Sequence, residues 1–246
     1  MTTINEQSVA DVIGQSPQAS RLFDQLGIPW AASTDSTFGD LCQAAGLEPS
    51  IVRGVLFDSS AASDRITRAL DDRASLSELV DHIVVRHHGY LRRKLPLMQL
   101  LLDRAILIEG DRCPSLRQVE QVFRQLRRVV GEHMIMEEQV LFPLIRELDG
   151  AARRGTGYRG GIHRSISSIL HDHGPTEQLM VKLRQLTGDY NPPLDCCPPY
   201  AALVKELREL ECDMLEHTRK EVDLLLPRAQ KVEEGLLKQT AVPAHR

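Results

Sequence analysis

Hydrophobic residues recur every three to four positions along most of the chain from Ser75 onward, a spacing typical of amphipathic helices. Four long segments carry this pattern, and they span residues 75–108, 115–148, 162–186 and 200–226. Each begins at a helix-start signal or after a break rich in glycine and proline, and the connections between them are short. Four long helices joined in this way predict an antiparallel four-helix bundle.

Local signals predict where individual helices begin and end. Ser75-x-x-Glu78 matches a capping box, in which the side chain of each residue accepts a hydrogen bond from the backbone amide of the other. The glycine- and arginine-rich stretch 149–161 is expected to be a loop. Pro227 is expected to end the fourth helix, because proline lacks the amide hydrogen that a continuing helix needs.

The N-terminal stretch has a different character. Within residues 8–58, short hydrophobic stripes are broken at Gly14–Pro17 and Gly27–Pro29. Thr37-x-x-Asp40 then predicts a helix start, and a third short helix is expected to begin near Pro49. A unit of this size is only marginally stable alone. We therefore divide the chain into four parts: a small helical N-terminal domain (1–58), a linker (59–74), the helical bundle (75–230) and a polar tail (231–246).

Composition limits the class of protein. The chain has 246 residues, of which 42% are hydrophobic and 26% charged, as in ordinary globular proteins. Its net charge of −4 gives no reason to expect a nucleic-acid or membrane partner. No apolar run approaches the roughly 20 residues that span a bilayer, and the first residues do not resemble a secretory signal. We expect a cytoplasmic protein with reduced thiols.

Two four-residue steps, His133-x₃-Glu137 and His217-x₃-Glu221, occur within the amphipathic segments. Residues four apart share one face of a helix, and both steps share theirs with hydrophobic residues. A buried carboxylate is costly unless it is paired or bound to metal. Two such steps on two hydrophobic faces therefore indicate a metal site rather than two coincidences.

Each step also has a histidine upstream at nearly the same distance. His88 precedes His133 by 45 residues, and His173 precedes His217 by 44. Counted along antiparallel helices at about 1.5 Å per residue, these groups are expected at one level of the bundle, although the third and fourth segments differ by roughly one turn. The repeated arrangement predicts a two-fold site with six ligands.

Four imidazoles and two carboxylates form a nitrogen and oxygen ligand set that suits iron or manganese, and we interpret it as a di-iron site. His171 is the alternative to His173, although it faces polar residues. His87 is expected to lie beside the ligands or at the surface, and Glu138 is expected to be solvated. The predicted ligands are His88, His133, Glu137, His173, His217 and Glu221.

The residues around the predicted ligands resemble the hemerythrin-like domain of the RIC (repair of iron centres) family of iron–sulfur cluster repair proteins. The matching strings are DHIVVRHH at 81–88, GEHMIMEEQVLFPLI at 131–145, HDHGPTEQLM at 171–180 and LEHTRKEVDLLLPRA at 215–229. SVADVIGQSPQASRLFDQLGIPW, within 8–58, is similar to the family's N-terminal domain. The resemblance implies an all-α fold, the same six ligands, and two non-haem iron ions bridged by Glu137, Glu221 and an oxo or hydroxo group.

One departure from the family concerns thiols. The family's N-terminal domain carries a Cys-Cys pair directly after the aromatic residue of GIPW, whereas here Ala31 and Ala32 follow Trp30. Cys196 and Cys197 are adjacent elsewhere in the chain, but the sequence does not place them near the N-terminal domain. The departure bears on the repair role and leaves the di-iron interpretation intact.

The resemblance implies a di-iron protein of the nitrosative and oxidative stress response that repairs damaged iron–sulfur clusters. Its partners would then be NO or O₂ as small ligands and apo or damaged iron–sulfur proteins. Two alternatives stay open: a hemerythrin-like protein that binds or senses NO or O₂, and a di-iron NO reductase. Whether the protein is an enzyme, its oligomeric state and its metal content in the cell stay open as well.

Overall fold

The computed structural model describes residues 4–16, 18–57, 74–156, 158 and 161–240, without the side chains of 163–173 and 239–240. The described chain is helical and contains no β-strand, as the predicted all-α bundle requires. Its residues form two compact units. The first is drawn from Met1–Ala62, Leu91–Phe123 and Lys182–Leu210, and the second from Ser63–Tyr90, Arg124–Val181 and Glu211–Arg246.

Short helices make up the N-terminal part of the first unit. Four α-helices are found among the described residues where three were predicted, because the stretch before Thr37 forms two helices, one that ends at Gln15 and one that begins at Ala19. Thr37 caps the third by accepting a hydrogen bond from the Asp40 amide. The four helices are α1 (Val9–Gln15), α2 (Ala19–Gln25), α3 (Phe38–Ala44) and α4 (Pro49–Phe57).

The four long helical segments are present, and three of them contain a wider π-helical turn. The first comprises α5 (Leu76–His82), π1 (Ile83–His88) and α6 (Gly89–Glu109), and the second α7 (Ser115–Met136), π2 (Glu137–Leu141) and α8 (Phe142–Arg154). The third is α9 (Ile162–Leu186), and the fourth comprises α10 (Pro198–Arg219), π3 (Lys220–Leu225) and α11 (Leu226–Thr240).

Within the second unit, the first and second segments run antiparallel. Ser77 donates to Asp149, and Asp81 pairs with Arg146 at 2.7 Å. The residue numbers rise along one segment as they fall along the other. The predicted capping box begins this part of the first segment, since Glu78 accepts from the Ser75 amide at 2.7 Å and Ser75 accepts from the Glu78 amide.

Hydrophobic side chains from α5, π2, α8, π3 and α11 form the core of the second unit. Ile83 of π1, Tyr158 and the first residue of α9, Ile162, also belong to this core. The buried members are Ala74, Leu76, Leu79, Val80, Ile83, Leu141, Phe142, Ile145, Leu148, Ala151, Tyr158, Ile162, Leu225, Leu226, Ala229 and Leu236. Its members Ile83, Leu141 and Leu225 belong to the three π-helical turns, which also carry residues of the polar cluster described below.

Two predicted helix ends were wrong. Helix α8 continues to Arg154, where Gly155 adopts the left-handed conformation that favours glycine (φ 62°). The fourth segment passes through Pro227 and continues to Thr240, so residues 231–240 of the expected tail are helical. Pro227 follows π3 by two residues, where the α-helical hydrogen-bond pattern is already interrupted and a missing amide hydrogen costs little.

Other boundaries of the predicted domains stay predictions. The linker expected at 59–74 lies outside the described residues except for Ala74, as do residues 241–246 of the expected tail. No helix in the described ranges is both long enough and apolar enough to cross a membrane.

Candidate metal centre

Five of the six predicted ligands come together in the interior of the second unit. They are His88 at the end of π1, His133 on α7, Glu137 at the start of π2, His217 on α10 and Glu221 in π3. Ligand atoms of four of them, all except His133, lie within 4.8 Å of one another. The Nε2 atom of His133 lies 3.1 Å from Oε1 of Glu137, which joins it to the same cluster.

The two four-residue steps have the same geometry. Nε2 of each histidine approaches Oε1 of the glutamate four residues later, at 3.1 Å in His133–Glu137 and 2.8 Å in His217–Glu221. Nε2 of His133 also lies 4.0 Å from Oε2 of Glu221, so the steps meet each other. The repeated spacing in sequence therefore corresponds to a repeated arrangement in space.

Each glutamate of the cluster lies in a π-helical turn, and so does His88. A π-helical turn takes one more residue per hydrogen-bonded ring than an α-helical turn, and such turns are frequent at functional sites. Turns π2 and π3 begin at or one residue before their glutamate, and π1 ends at its histidine. The fold therefore widens all three helices where they face the cluster.

Buried polar atoms of the cluster lack hydrogen-bond partners among the described residues. Both carboxylate oxygens of Glu137 and Nε2 of His88 are in this position, although Oε2 and Nε2 lie 3.2 Å apart. A buried carboxylate that has neither a counter-charge nor a hydrogen bond destabilises the folded state, by on the order of several kcal/mol. Nitrogen and oxygen donors that converge without partners fit a bound metal cation.

The two carboxylates of the cluster raise the pKa values of His133 and His217. Burial alone would lower the pKa of His133, but the nearby carboxylates of Glu137 and Glu221 outweigh burial and raise it from 6.5 to about 10. The pKa of His217 is likewise raised against the effect of burial, chiefly by Glu221. The two carboxylates thus stabilise positive charge in the cluster, which protons on these histidines provide when no cation is bound.

A second carboxylate holds the opposite side of the His88 ring. Nδ1 of His88 lies 2.5 Å from Oε1 of Glu138, and the ring stacks on Phe142 with centroids 5.7 Å apart. The prediction that Glu138 is solvated was wrong, since its side chain is only 27% exposed. The π2 turn explains the error, because it directs two consecutive glutamates toward one histidine.

His87 lies beside the cluster and contacts one of its members. It is fully buried, and its ring stacks almost parallel on that of His217, with centroids 5.2 Å apart and an angle of 4°. Nδ1 of His87 lies 3.1 Å from Oδ1 of Asp213. Of the two predictions for this residue, the surface position was wrong.

The remaining predicted ligand, His173, and its alternative, His171, belong to helix α9, but their side chains lie outside the described residues. Their assignment stays a prediction.

Comparison with known proteins places this arrangement in a family. The model of the hemerythrin HHE cation-binding domain matches residues 79–229, which include every member of the cluster. The chain belongs to the hemerythrin HHE family. Curated relatives from Salmonella paratyphi B, Salmonella newport and Salmonella heidelberg are each named iron–sulfur cluster repair protein YtfE. Each is 27% identical to this chain over 225 residues, which cover 91% of the chain and 96% of the relative.

The resemblance to the repair family is thereby confirmed over nearly the whole chain. Membership of the hemerythrin family implies iron binding, and the buried histidine–glutamate cluster provides suitable donors.

The structure also locates the adjacent cysteines. Cys196 and Cys197 lie in the first unit, and Glu109 accepts a hydrogen bond from the Cys197 amide at 2.7 Å. The first residues of α10, which directly follow these cysteines, lie close to the start of GIPW: a Cβ added at Gly27 would lie 3.5 Å from Pro199. Burial raises the pKa of Cys197 to about 11, which keeps the sulfur a thiol at neutral pH.

Proposed function

We propose that this protein holds two non-haem iron ions and repairs damaged iron–sulfur clusters during nitrosative and oxidative stress in the cytoplasm. The ligands in this proposal are His88, His133, Glu137, His173, His217 and Glu221. The observation that carries it is the pair of buried Glu137 oxygens, which face histidine nitrogens and have no hydrogen-bond partner among the described residues. A cation at that place would remove the cost of burying the carboxylate.

Two ions account for the donor set better than one. The six residues offer four imidazole nitrogens and four carboxylate oxygens, more than the roughly six donors that one octahedral ion accepts. Glu137 presents Oε2 to His88 at 3.2 Å and Oε1 to His133 at 3.1 Å. Oε1 of Glu221 lies 2.8 Å from Nε2 of His217, and its Oε2 lies 4.0 Å from Nε2 of His133. Such an arrangement supports a bridging role for both carboxylates, beside an oxo or hydroxo bridge.

The surrounding residues would prepare the site for its chemistry. Bound iron would supply redox change and open positions for small ligands such as NO or O₂. Glu138 would orient the His88 ring through Nδ1, as carboxylates do for histidines that bind metals. Phe142 and the adjoining hydrophobic core would limit the access of water. The relatives' names support iron–sulfur proteins as the partners that receive this chemistry.

Reactivation of an iron–sulfur enzyme tests the repair role. The enzyme would be inactivated by NO and incubated anaerobically with the iron-loaded protein, and its recovered activity would be measured against time. The His133→Ala/Glu221→Ala variant should not restore activity, whereas Glu132→Gln, at an exposed position beside the same helix face, should match the wild type. Equal recovery with and without the wild-type protein would refute the repair role.

The replacement of the family's Cys-Cys pair by Ala31 and Ala32 favours a second candidate, a protein that binds or senses NO or O₂. It would bind NO at the iron-loaded site and leave the damaged enzyme inactive. A Cys196→Ser/Cys197→Ser variant belongs in the same assay, because the prolines that directly follow these cysteines lie close to Gly27 of GIPW. Consumption of NO with an added reductant would instead indicate the NO reductase.

A further inference from the structure

Lys220 extends its ammonium group into a set of donors beside the candidate metal centre. Nζ lies 2.9 Å from Nε2 of His82, 3.1 Å from Nε2 of His87 and 2.6 Å from Oε1 of Glu216. An ammonium group donates three hydrogen bonds and accepts none. All three of its bonds are therefore directed at atoms that present a lone pair.

Two histidines and one carboxylate around a cation are the donor set of many non-haem Fe(II) sites. We propose that His82, His87 and Glu216 form an accessory metal site, which Lys220 occupies in this structure and which takes a ferrous or similar divalent ion when the lysine withdraws. This inference rests on the proposed function, since it gives iron a binding place next to the di-iron centre on its way in or out.

The tautomers of the two histidines suit metal binding. Because Lys220 can only donate, Nε2 of His82 and of His87 must be the unprotonated nitrogen of each ring. The Nδ1–H of His87 then donates to Oδ1 of Asp213, 3.1 Å away. A carboxylate on the far nitrogen is the usual support of a metal-binding histidine, because it fixes the ring and strengthens the nitrogen as a ligand.

Two of the three donors of the accessory site, and Lys220 itself, each stand one residue before a predicted ligand of the candidate metal centre. His87 precedes His88, Glu216 precedes His217, and Lys220 precedes Glu221. The stacked rings of His87 and His217, with centroids 5.2 Å apart, join the two sites.

Exposure changes across the accessory site in the direction that an ion would travel. The Glu216 side chain is 55% exposed, Lys220 is 23% exposed, and His87 is fully buried against the centre. An ion would meet Glu216 first and His87 last. Metal–nitrogen bonds of about 2.0–2.1 Å are shorter than these hydrogen bonds, so the three donors would close in by about 1 Å when they bind.

Cobalt(II) titration of the metal-free full-length protein tests the proposal by equilibrium dialysis. Lys220→Ala should bind one more equivalent per chain tightly, because a positive charge no longer competes for the three donors. The wild type should bind that equivalent at least about tenfold more weakly. Glu216→Gln/Lys220→Ala should lose it, and Lys205→Ala, at an exposed lysine of α10, should behave as the wild type.

Three outcomes would overturn the inference. In the first, Lys220→Ala gains no equivalent; in the second, the gained equivalent survives Glu216→Gln; in the third, the wild type does not bind it even at high cobalt concentration. Glu216 is largely exposed, so its replacement leaves the core intact, and His82→Ala/Lys220→Ala provides a second check. The result is a difference between variants, so it can be read whether or not the di-iron centre itself forms.

Discussion

Nδ1 of His88 lies 2.5 Å from Oε1 of Glu138, the residue that directly follows Glu137 in the chain. Two consecutive glutamates thus lie beside one imidazole ring, Glu137 next to Nε2 of His88 and Glu138 next to Nδ1. The contact links a partly exposed carboxylate to a fully buried histidine of the candidate centre.

Replacement of Glu138 by glutamine should weaken metal binding without removing a ligand. The loss of a carboxylate that supports a metal-binding histidine typically costs about 10- to 100-fold in affinity. Competition with a chelator of known affinity measures the change. Glu132→Gln, on the exposed side of the same segment, should show none. An unchanged affinity in Glu138→Gln would mean that the contact does not orient His88.

The stability of the metal-free protein should fall as the pH rises from neutral. The carboxylates near His133 raise its folded pKa to about 10, above the 6.5 expected of a histidine in the unfolded chain. The folded state therefore binds this proton more tightly, and the resulting stability is fully present below pH 6.5 and lost as the pH approaches 10. Melting temperatures between pH 7 and pH 9 measure the effect.

His133→Gln provides the control for this pH dependence, because glutamine does not titrate. The variant should show a flatter profile over the same pH range. A metal-free wild type whose melting temperature rises from pH 7 to pH 9 would contradict the assignment of a retained proton in the cluster.

Removal of the cap of α5 should destabilise the second unit. Ser75→Ala deletes the side-chain oxygen that accepts from the Glu78 amide, and such caps contribute about 1 kcal/mol. Ser75→Asp keeps an accepting oxygen and should stay close to the wild type. Urea denaturation measures both variants, and equal midpoints for Ser75→Ala and the wild type would show that the cap contributes nothing.

Much of the fold follows from local patterns in the sequence. The four-residue steps of His133 and His217 stood out because hydrophobic residues surround them at helical spacing, and the Ser75 cap is a short-range motif. These features depend on residues within a few turns of one another, which a single sequence displays directly.

The π-helical turns and the long-range contacts could not be found in this way. An ideal helical period of 3.6 residues placed Glu138 in solvent, whereas the wider π2 turn brings it to His88. The sequence did contain one signal of the π-helical turns, a proline at a repeated position. Pro143 and Pro227 each follow a cluster glutamate by six residues, and each lies two residues after the end of a π-helical turn. The His87–Asp213 contact joins residues 126 positions apart in the chain, so the local spacing of hydrophobic residues cannot predict it.

Iron content tests the central claim most directly. The wild-type protein, reconstituted anaerobically and freed of loosely bound metal, should contain two irons per chain and show the absorption bands of an oxo-bridged pair after oxidation. The His133→Ala/Glu221→Ala variant should lose both the iron and the bands, while Glu132→Gln keeps them. A wild type without bound iron, or a double variant that retains two irons, would contradict the di-iron centre.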